Sequence, residues 1–240
     1  MSNIKDSKLI KSDLENTINF FKQQEKQPQT PQNPHLEEIV KNIHKTAYCI
    51  KLFSIKLDSN IALNKKIFVK GMLSDYITIM HLLINNFEIS SELTLRRIIE
   101  LFYNHIYYYD HPIEYIQLEQ GKNEYTPIIE LKKYVEKHPL IPNSKDDNIK
   151  IMNDNIFNHY HNISRTVHAK GSEHMALFDN IQQLKNSFAY ISQFLIDINS
   201  ISQAIIYILF KIHKDIPFTP VERSTLTSFL PREYRRKMTE

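Results

Sequence analysis

Between Asn158 and His174 the chain reads Asn-His-Tyr-His-Asn-Ile-Ser-Arg-Thr-Val-His-Ala-Lys-Gly-Ser-Glu-His, and nowhere else are titratable and hydrogen-bonding side chains so dense. His161, Ser164, Arg165 and His168 stand at offsets of three, four and seven, which places them on one face of a helix. The chemistry these types allow is proton transfer beside a phosphate. Imidazole titrates near neutrality, and a guanidinium grips phosphate through two parallel N–H donors. Metal-independent cleavage of RNA needs a base for the 2′-hydroxyl proton, an acid for the leaving oxygen and a cation facing the phosphate. His168 and Arg165, assisted by Asn162, Ser164 or His161, supply those types at one helix end.

Two other chemistries fit the same residues less well. A metal site would draw on His159, His161, His168 and His174, yet His161 and His168 lie two turns, about 10 Å, apart. No His-Glu-x-x-His pattern or carboxylate cluster assists them. A nucleophilic Ser164 with His168 four residues on would have neither a glycine elbow nor an evident acid to orient the imidazole. The sequence therefore points to no metal and no cofactor.

These residues sit in a helix expected over about 147–169, seated by Ile156, Tyr160, Ile163 and Val167, broken at Gly171 and followed by a cap at Ser172. A second polar group falls in a helix expected from Ser90 or Ser91 to Asp110, stopped by His111-Pro112. Its stripe is Leu95, Ile98, Ile99, Phe102, Ile106 and Tyr109, but Leu93, Leu101 and Tyr108 lie on the other side. A helix apolar nearly all round is a central one. Arg97, Glu100 and Asn104 would then be shielded from water, either as an Arg97–Glu100 bolt between helices or as the lining and supporting residues of a site.

The remaining chain reads the same way. Helical spacing is expected over 36–57, over 61–86 after a turn at Asp58-Ser59-Asn60, and over about 126–137; Asn143 to Asp147 forms a loop. The longest regular stripe runs from Leu177 through Ile181, Leu184, Phe188, Ile191, Leu195, Ile198, Ile205 and Ile208 to Ile212. A helix of that length spans more than a compact domain needs, so a partner is expected to cover part of it. No strand-period segment stands out. The fold class is all-α: a single bundle-like domain of five to eight helices with one long C-terminal helix. Residues 1–34 form an appendage ending in a Gln/Pro linker, 35–215 the helical domain, and 216–240 a basic tail.

Composition narrows the functions further. Three glycines in 240 residues are too few for the phosphate turns of dinucleotide-binding or P-loop folds. The lone Cys49 excludes a disulfide framework, and its apolar neighbours mark it as a buried thiol. No run of about 18 apolar residues is apparent. The polar start lacks a leader's apolar segment, so a cytoplasmic protein without a membrane partner is expected. Lysine outnumbers arginine 23 to 7, and the arginines cluster at 96–97, at 165, and at 223, 232, 235 and 236. Where lysine is the default cation, retained arginines mark places that need a planar fork.

The segments Tyr160-His161-Asn162-Ile163-Ser164-Arg165-Thr166-Val167-His168 and Leu95-Arg96-Arg97-Ile98-Ile99-Glu100 resemble the HEPN superfamily, in particular abortive-infection and HEPN-like proteins of bacterial defence loci. The likeness spans about residues 60–213. Catalytic members carry an arginine, four to six residues and then a histidine; here two residues separate Arg165 from His168, and Asn162 holds the family-like distance. The resemblance implies an effector or toxin of an antiphage or toxin–antitoxin system that cuts RNA without metal, as a homodimer or in a heteromeric complex. His168 and Arg165 would be catalytic, with Arg97, Glu100, Asn104, His161, Asn162 and Ser164 supporting. The other outcome it implies is a noncatalytic helical subunit that binds a protein or nucleic acid within a defence complex.

Overall fold

A computed structural model describes residues 2–25, 33–58, 66–122, 126–141, 147–168 and 188–239. These residues form ten α-helices, and no strand occurs among them. The chain is all-α, as its periodicity predicts.

Helix α2 (Leu36–Asp58) opens with Glu37 and Glu38 at its positively polarised end. It buries Ile39, Val40, Ile43, Ala47, Ile50, Phe53 and Leu57 at three-and-four spacing. Helix α3 (Ile67–Ile84) buries Val69, Met72, Tyr76, Ile79, Met80 and Leu83. Its end is finished from outside: the Asn33 amide donates to the carbonyls of Leu83 at 3.3 Å and Ile84 at 3.0 Å, groups that a helix terminus leaves unpaired. Asn86, at φ 63°, takes the left-handed conformation that asparagine tolerates and turns the chain into α4 (Glu88–Asp110).

Helix α4 is the central one. Leu95, Ile98, Ile99, Phe102, Tyr103, Asn104, His105, Ile106 and Tyr108 are all buried, and they spread round most of its circumference. It packs against α3, against α7 (Asp147–Val167) and against α6 (Ile128–Glu136), with α5 (Pro112–Glu119) at its end. Helix α8 (Phe188–Ile212) lies against both α7 and α2. Helices α2, α3, α4, α7 and α8 thus form a closed ring around one core. Helix α1 (Ser2–Glu25) lies on α2, α9 (Pro220–Phe229) also rests on α2, and α10 (Arg232–Thr239) touches α8 and α9.

Buried hydrogen bonds set the registers. The Tyr76 hydroxyl meets Ser202 Oγ at 2.8 Å across α3 and α8. Tyr103 donates to Asn153 Oδ1 at 2.8 Å across α4 and α7, and the Asn153 amide donates to the Lys132 carbonyl on α6 at 3.1 Å. Each polar group would cost roughly 1–3 kcal/mol if buried unpaired, which penalises any sliding of these helices. Cys49 is fully buried and its thiol is pushed up to about 12 by that burial.

Several expectations change. Among the described residues seven helices, α2–α8, fall within 35–215, and prolines expected only to end a helix also begin the next. Pro112 and Pro220 sit in the first turns of α5 and α9, where the missing N–H costs nothing. The segment 216–240 folds as α9 and α10, and Leu226, Phe229 and Leu230 join the common core. α3 and residues Ala189–Ile212 are each long and apolar enough, by length and composition, to cross a membrane. Lys70 and Asp75 fall within the first of these stretches and Asp197 within the second, so neither is an unbroken apolar run. Over its described length, the stripe of α8 is covered within the chain: Ile191, Phe194, Leu195, Ile198, Ile201, Ala204, Ile205 and Ile208 are buried, whereas Ile196 is exposed. The break at Gly171, the cap at Ser172, His174, the stripe residues Leu177, Ile181 and Leu184, most of the 143–147 loop and the turn after Asp58 lie outside the described residues.

The expected Arg97–Glu100 bolt is replaced by another pair. Arg97 Nε donates to Asp75 Oδ2 at 2.7 Å, and a second guanidinium nitrogen donates to the other carboxylate oxygen. Asp75 is 1% exposed, whereas the Arg97 side chain is 62% exposed. The guanidinium is therefore an outer cover on a carboxylate sunk in an apolar helix, not a shielded ion. Losing one partner of a buried pair costs about 3–5 kcal/mol; solvent on the open side of Arg97 discounts this to about 2–3 kcal/mol for Arg97→Met. Adding Asp75→Asn should recover more than half of that loss in urea unfolding. An Arg97→Met protein as stable as the parent would show that water alone satisfies the carboxylate.

Candidate functional site

Helices α4 and α7 run antiparallel: Asn153 lies opposite Tyr103, while Tyr160 and His168 lie opposite Glu100 and Arg96. The register fixed at Tyr103 therefore brings the polar end of α7 to the first half of α4. At their junction the organising residue is Arg96. Its Nε donates to Glu100 Oε1 at 3.1 Å, one turn along the same helix. Its Nη2 donates to the Tyr160 hydroxyl at 3.0 Å, and Tyr160 in turn donates to Glu100 Oε1 at 3.2 Å. The guanidinium carbon stands 5.0 Å from the Tyr160 ring centre, within cation–π reach. Burial opposes the charge on Arg96, but the bonds to Tyr160 and Glu100 outweigh it and hold the guanidinium above its usual range.

Two edges of the fork are thus occupied, and the third faces His168. Arg96 Nη1 lies 3.5 Å from His168 Nε2. Arginine has no acceptor, so a hydrogen bond there requires Nε2 to carry a lone pair. His168 continues the last turn of α7 through its backbone N–H to the Ser164 carbonyl at 3.1 Å, and its ring is exposed. A surface cavity of about 330 Å³ opens beside this group, lined by Leu93, Thr94, Arg96, Arg97 and Glu100. The arrangement presents a basic imidazole nitrogen and an oriented cation at one open position.

Of the residues singled out from the sequence, His168 and Glu100 meet here. Arg165 is exposed on the same last turn of α7, and Asn162 is exposed one turn earlier. His161 is exposed, with its ring edge-on to Phe157 at 4.5 Å between centroids. Among the described residues, Ser164 Oγ and Asn104 Oδ1 are buried without a hydrogen-bond partner. Arg97 leaves the group for Asp75. Two tail arginines also take structural roles: Arg235 donates to the carbonyls of Leu230 at 2.7 Å and Ser228 at 3.0 Å, and Arg223 covers the Phe210 ring. Among the described residues, no three His, Cys, Asp or Glu side chains are placed to hold a metal ion.

Sequence reasoning missed Arg96, Tyr160 and Glu92. Arg96 and Glu100 are four apart, the better ion-pair spacing, and that signal was available. Glu92 precedes Arg96 by one turn, and its Oε2 is buried without a partner. Burial, then the charge of Glu88, push its carboxyl up to about 7, opposed by a hydrogen bond with Thr166 on α7.

Comparison with family models, curated proteins and solved structures finds no match to this chain. The fold and the site define it as an all-α ring of helices bearing an Arg–Glu–Tyr–His cluster between two antiparallel members.

Glu92 supplies a pH test. Its folded-state pKa is raised, so the native state holds a proton that the unfolded chain releases above about 4.5. That contribution is complete below the ordinary carboxyl value and is lost as pH rises through about 7. Glu92→Gln should therefore stabilise the protein at pH 8 by about 2 kcal/mol, a figure reduced for the water that reaches the group. At pH 4 the two proteins should melt together; an equal offset at both pH values would assign the effect to packing.

Proposed function

We propose that the Arg96–His168 edge is the working surface of a metal-independent endoribonuclease, acting as an effector or toxin of a prokaryotic antiphage or toxin–antitoxin system. The observation that carries this reading is the guanidinium fixed on two sides by Glu100 and Tyr160 with its Nη1 edge 3.5 Å from His168 Nε2. A phosphate approaching that edge meets an oriented cation without the entropy cost of ordering a flexible chain. His168 Nε2 then takes the proton from the 2′-hydroxyl as its oxygen attacks the adjacent phosphorus; the bond from phosphorus to the 5′-oxygen breaks, leaving a 2′,3′-cyclic phosphate, and the departing 5′-oxygen takes its proton from water. Arg96 offsets the charge that develops on the phosphoryl oxygens, and Arg165, exposed on the last turn of α7, extends the cationic surface along the strand. The likeness of this stretch to HEPN proteins supports the same reaction class. In the family-derived reading Arg165 was the phosphate clamp; the geometry favours Arg96.

The partner proposed is a second copy of the chain. Phe87, Ile89 and Leu93 are exposed on α4 next to the cluster, an apolar surface that pairing would cover. A stable dimer there would bury at least about 1,200 Å² in total. A cytoplasmic location belongs to the same proposal. It is supported by Asp75, which lies within the more exposed of the two apolar helices and pairs with Arg97 of α4, since an ionised group is costly in hydrocarbon.

Activity on single-stranded RNA in the presence of EDTA tests the reaction. His168→Ala and Arg96→Ala should each slow cleavage at least about 100-fold, the range expected for loss of a general base or an oriented charge, with helicity retained. Undiminished cleavage by His168→Ala would refute the assignment. Sedimentation at micromolar concentration should show a dimer that Leu93→Asp converts to monomer. A parent protein that is already monomeric would remove the second copy from the site.

A further inference from the structure

A polar-rimmed cleft that holds none of the cluster residues lies between α1, α2 and α9. It encloses about 570 Å³, a volume suited to a small-molecule ligand. Its base is apolar, formed by Ile10, Leu14, Tyr48, Pro220 and Val221, and its rim is cationic, with Lys11 from α1 and Lys41 and Lys45 from α2. No carboxylate lines it. Lys41 is partly engaged, 3.1 Å from Glu37 outside the cleft. Lys45 has its ammonium 5.6 Å above the Phe229 ring, and among the described residues neither Lys45 nor Lys11 has a carboxylate within ion-pair distance. On the α9 wall, the Ser228 hydroxyl is spent on the Thr225 carbonyl at 2.8 Å, whereas among the described residues those of Ser224 and Thr225 donate no hydrogen bond. The first-turn amide of α9 is already taken by the Thr219–Glu222 capping box, so side chains supply the donors.

We propose that this cleft binds a small amphipathic anion, a phosphomonoester with an apolar body, whose phosphoryl group sits between Lys11, Lys45 and the Ser224 and Thr225 hydroxyls. Lysines on two sides of an apolar floor, with hydroxyls on the third, select a ligand with both parts. The apolar body displaces water from Leu14, Tyr48 and Val221, and the anion supplies the opposite charge that the cleft's own residues do not. Because Lys11 belongs to α1 and the hydroxyls to α9, an occupant ties the N-terminal helix to the C-terminal segment. The inference stands apart from the nuclease reading, since no residue of the α4–α7 cluster lines the cleft.

Isothermal titration of the full chain with 1-naphthyl phosphate, 1-naphthol and inorganic phosphate tests it. The phosphomonoester should bind at least tenfold more tightly than either fragment, and its affinity should fall as sodium chloride is raised while that of 1-naphthol stays constant. Lys11→Ala with Lys45→Ala should weaken 1-naphthyl phosphate at least tenfold, Lys11→Arg with Lys45→Arg should retain it, and Arg96→Ala should leave it unchanged. The proposal is overturned if 1-naphthol binds as well as its phosphate, if affinity is insensitive to salt, or if the double alanine variant binds like the parent. The salt series on the parent protein decides the matter even if that variant fails to fold.

Discussion

The structure depends on the burial of α4 on three sides. An ordinary surface helix hides one stripe and leaves its polar side to water, but α4 touches α3, α6 and α7 at once, with α5 at its end. Its polar residues must therefore be satisfied by neighbouring helices or held in the narrow seams between them. Arg97 answers this by covering Asp75 on α3, Tyr103 by bonding Asn153 on α7, and Arg96 by joining Glu100 and Tyr160. The candidate site is in this sense a by-product of central placement: the seam between α4 and α7 is where leftover polarity collects. His168 then adds a titratable group at the open end of that seam.

The same constraint explains what the sequence could and could not say. Helix positions followed from spacing, since stripes such as Ile39, Ile43, Ile50 and Phe53 in α2 admit one periodic reading. Helix orientation did not follow for α4. Successive residues on a helix are separated by about 100° of rotation, and with apolar residues nearly all round nothing marks which of Arg96 and Arg97 turns toward α7. Arg97, expected as a supporting residue, lines the cavity beside the cluster but spends its guanidinium on Asp75, while Arg96 turns to Tyr160 and Glu100. A charged residue on the core face of an apolar helix, as at Asp75, was the legible hint that one arginine was already committed elsewhere.

Two other features were written plainly and still went unread. Thr219-Pro220-Val221-Glu222 is a capping box with proline in the first turn, and it begins a helix where the prolines suggested only an end. Tyr160 sat in the apolar stripe of α7 and was counted as packing. An aromatic ring at a core boundary has a polar tip that must find a partner, and here the tip is what holds Arg96 and Glu100 together. Of the clustered arginines, Arg96 joins Glu100 and Tyr160, and Arg165 is exposed on the last turn of α7. In the tail the clustering marked helix capping by Arg235 and ring coverage by Arg223.

Closure of the ring has a consequence for how the chain is made. Helix α8 packs between α7 and α2, so its partners include a helix formed from residues some 150 positions earlier in the chain. During synthesis, the apolar faces of α2 and α7 that α8 will cover are displayed before α8 has left the ribosome. At about 5–20 residues per second, roughly ten to thirty seconds pass between the emergence of α2 and that of α8. For that interval the nascent protein is an open, adhesive arc, and the cell must shield it.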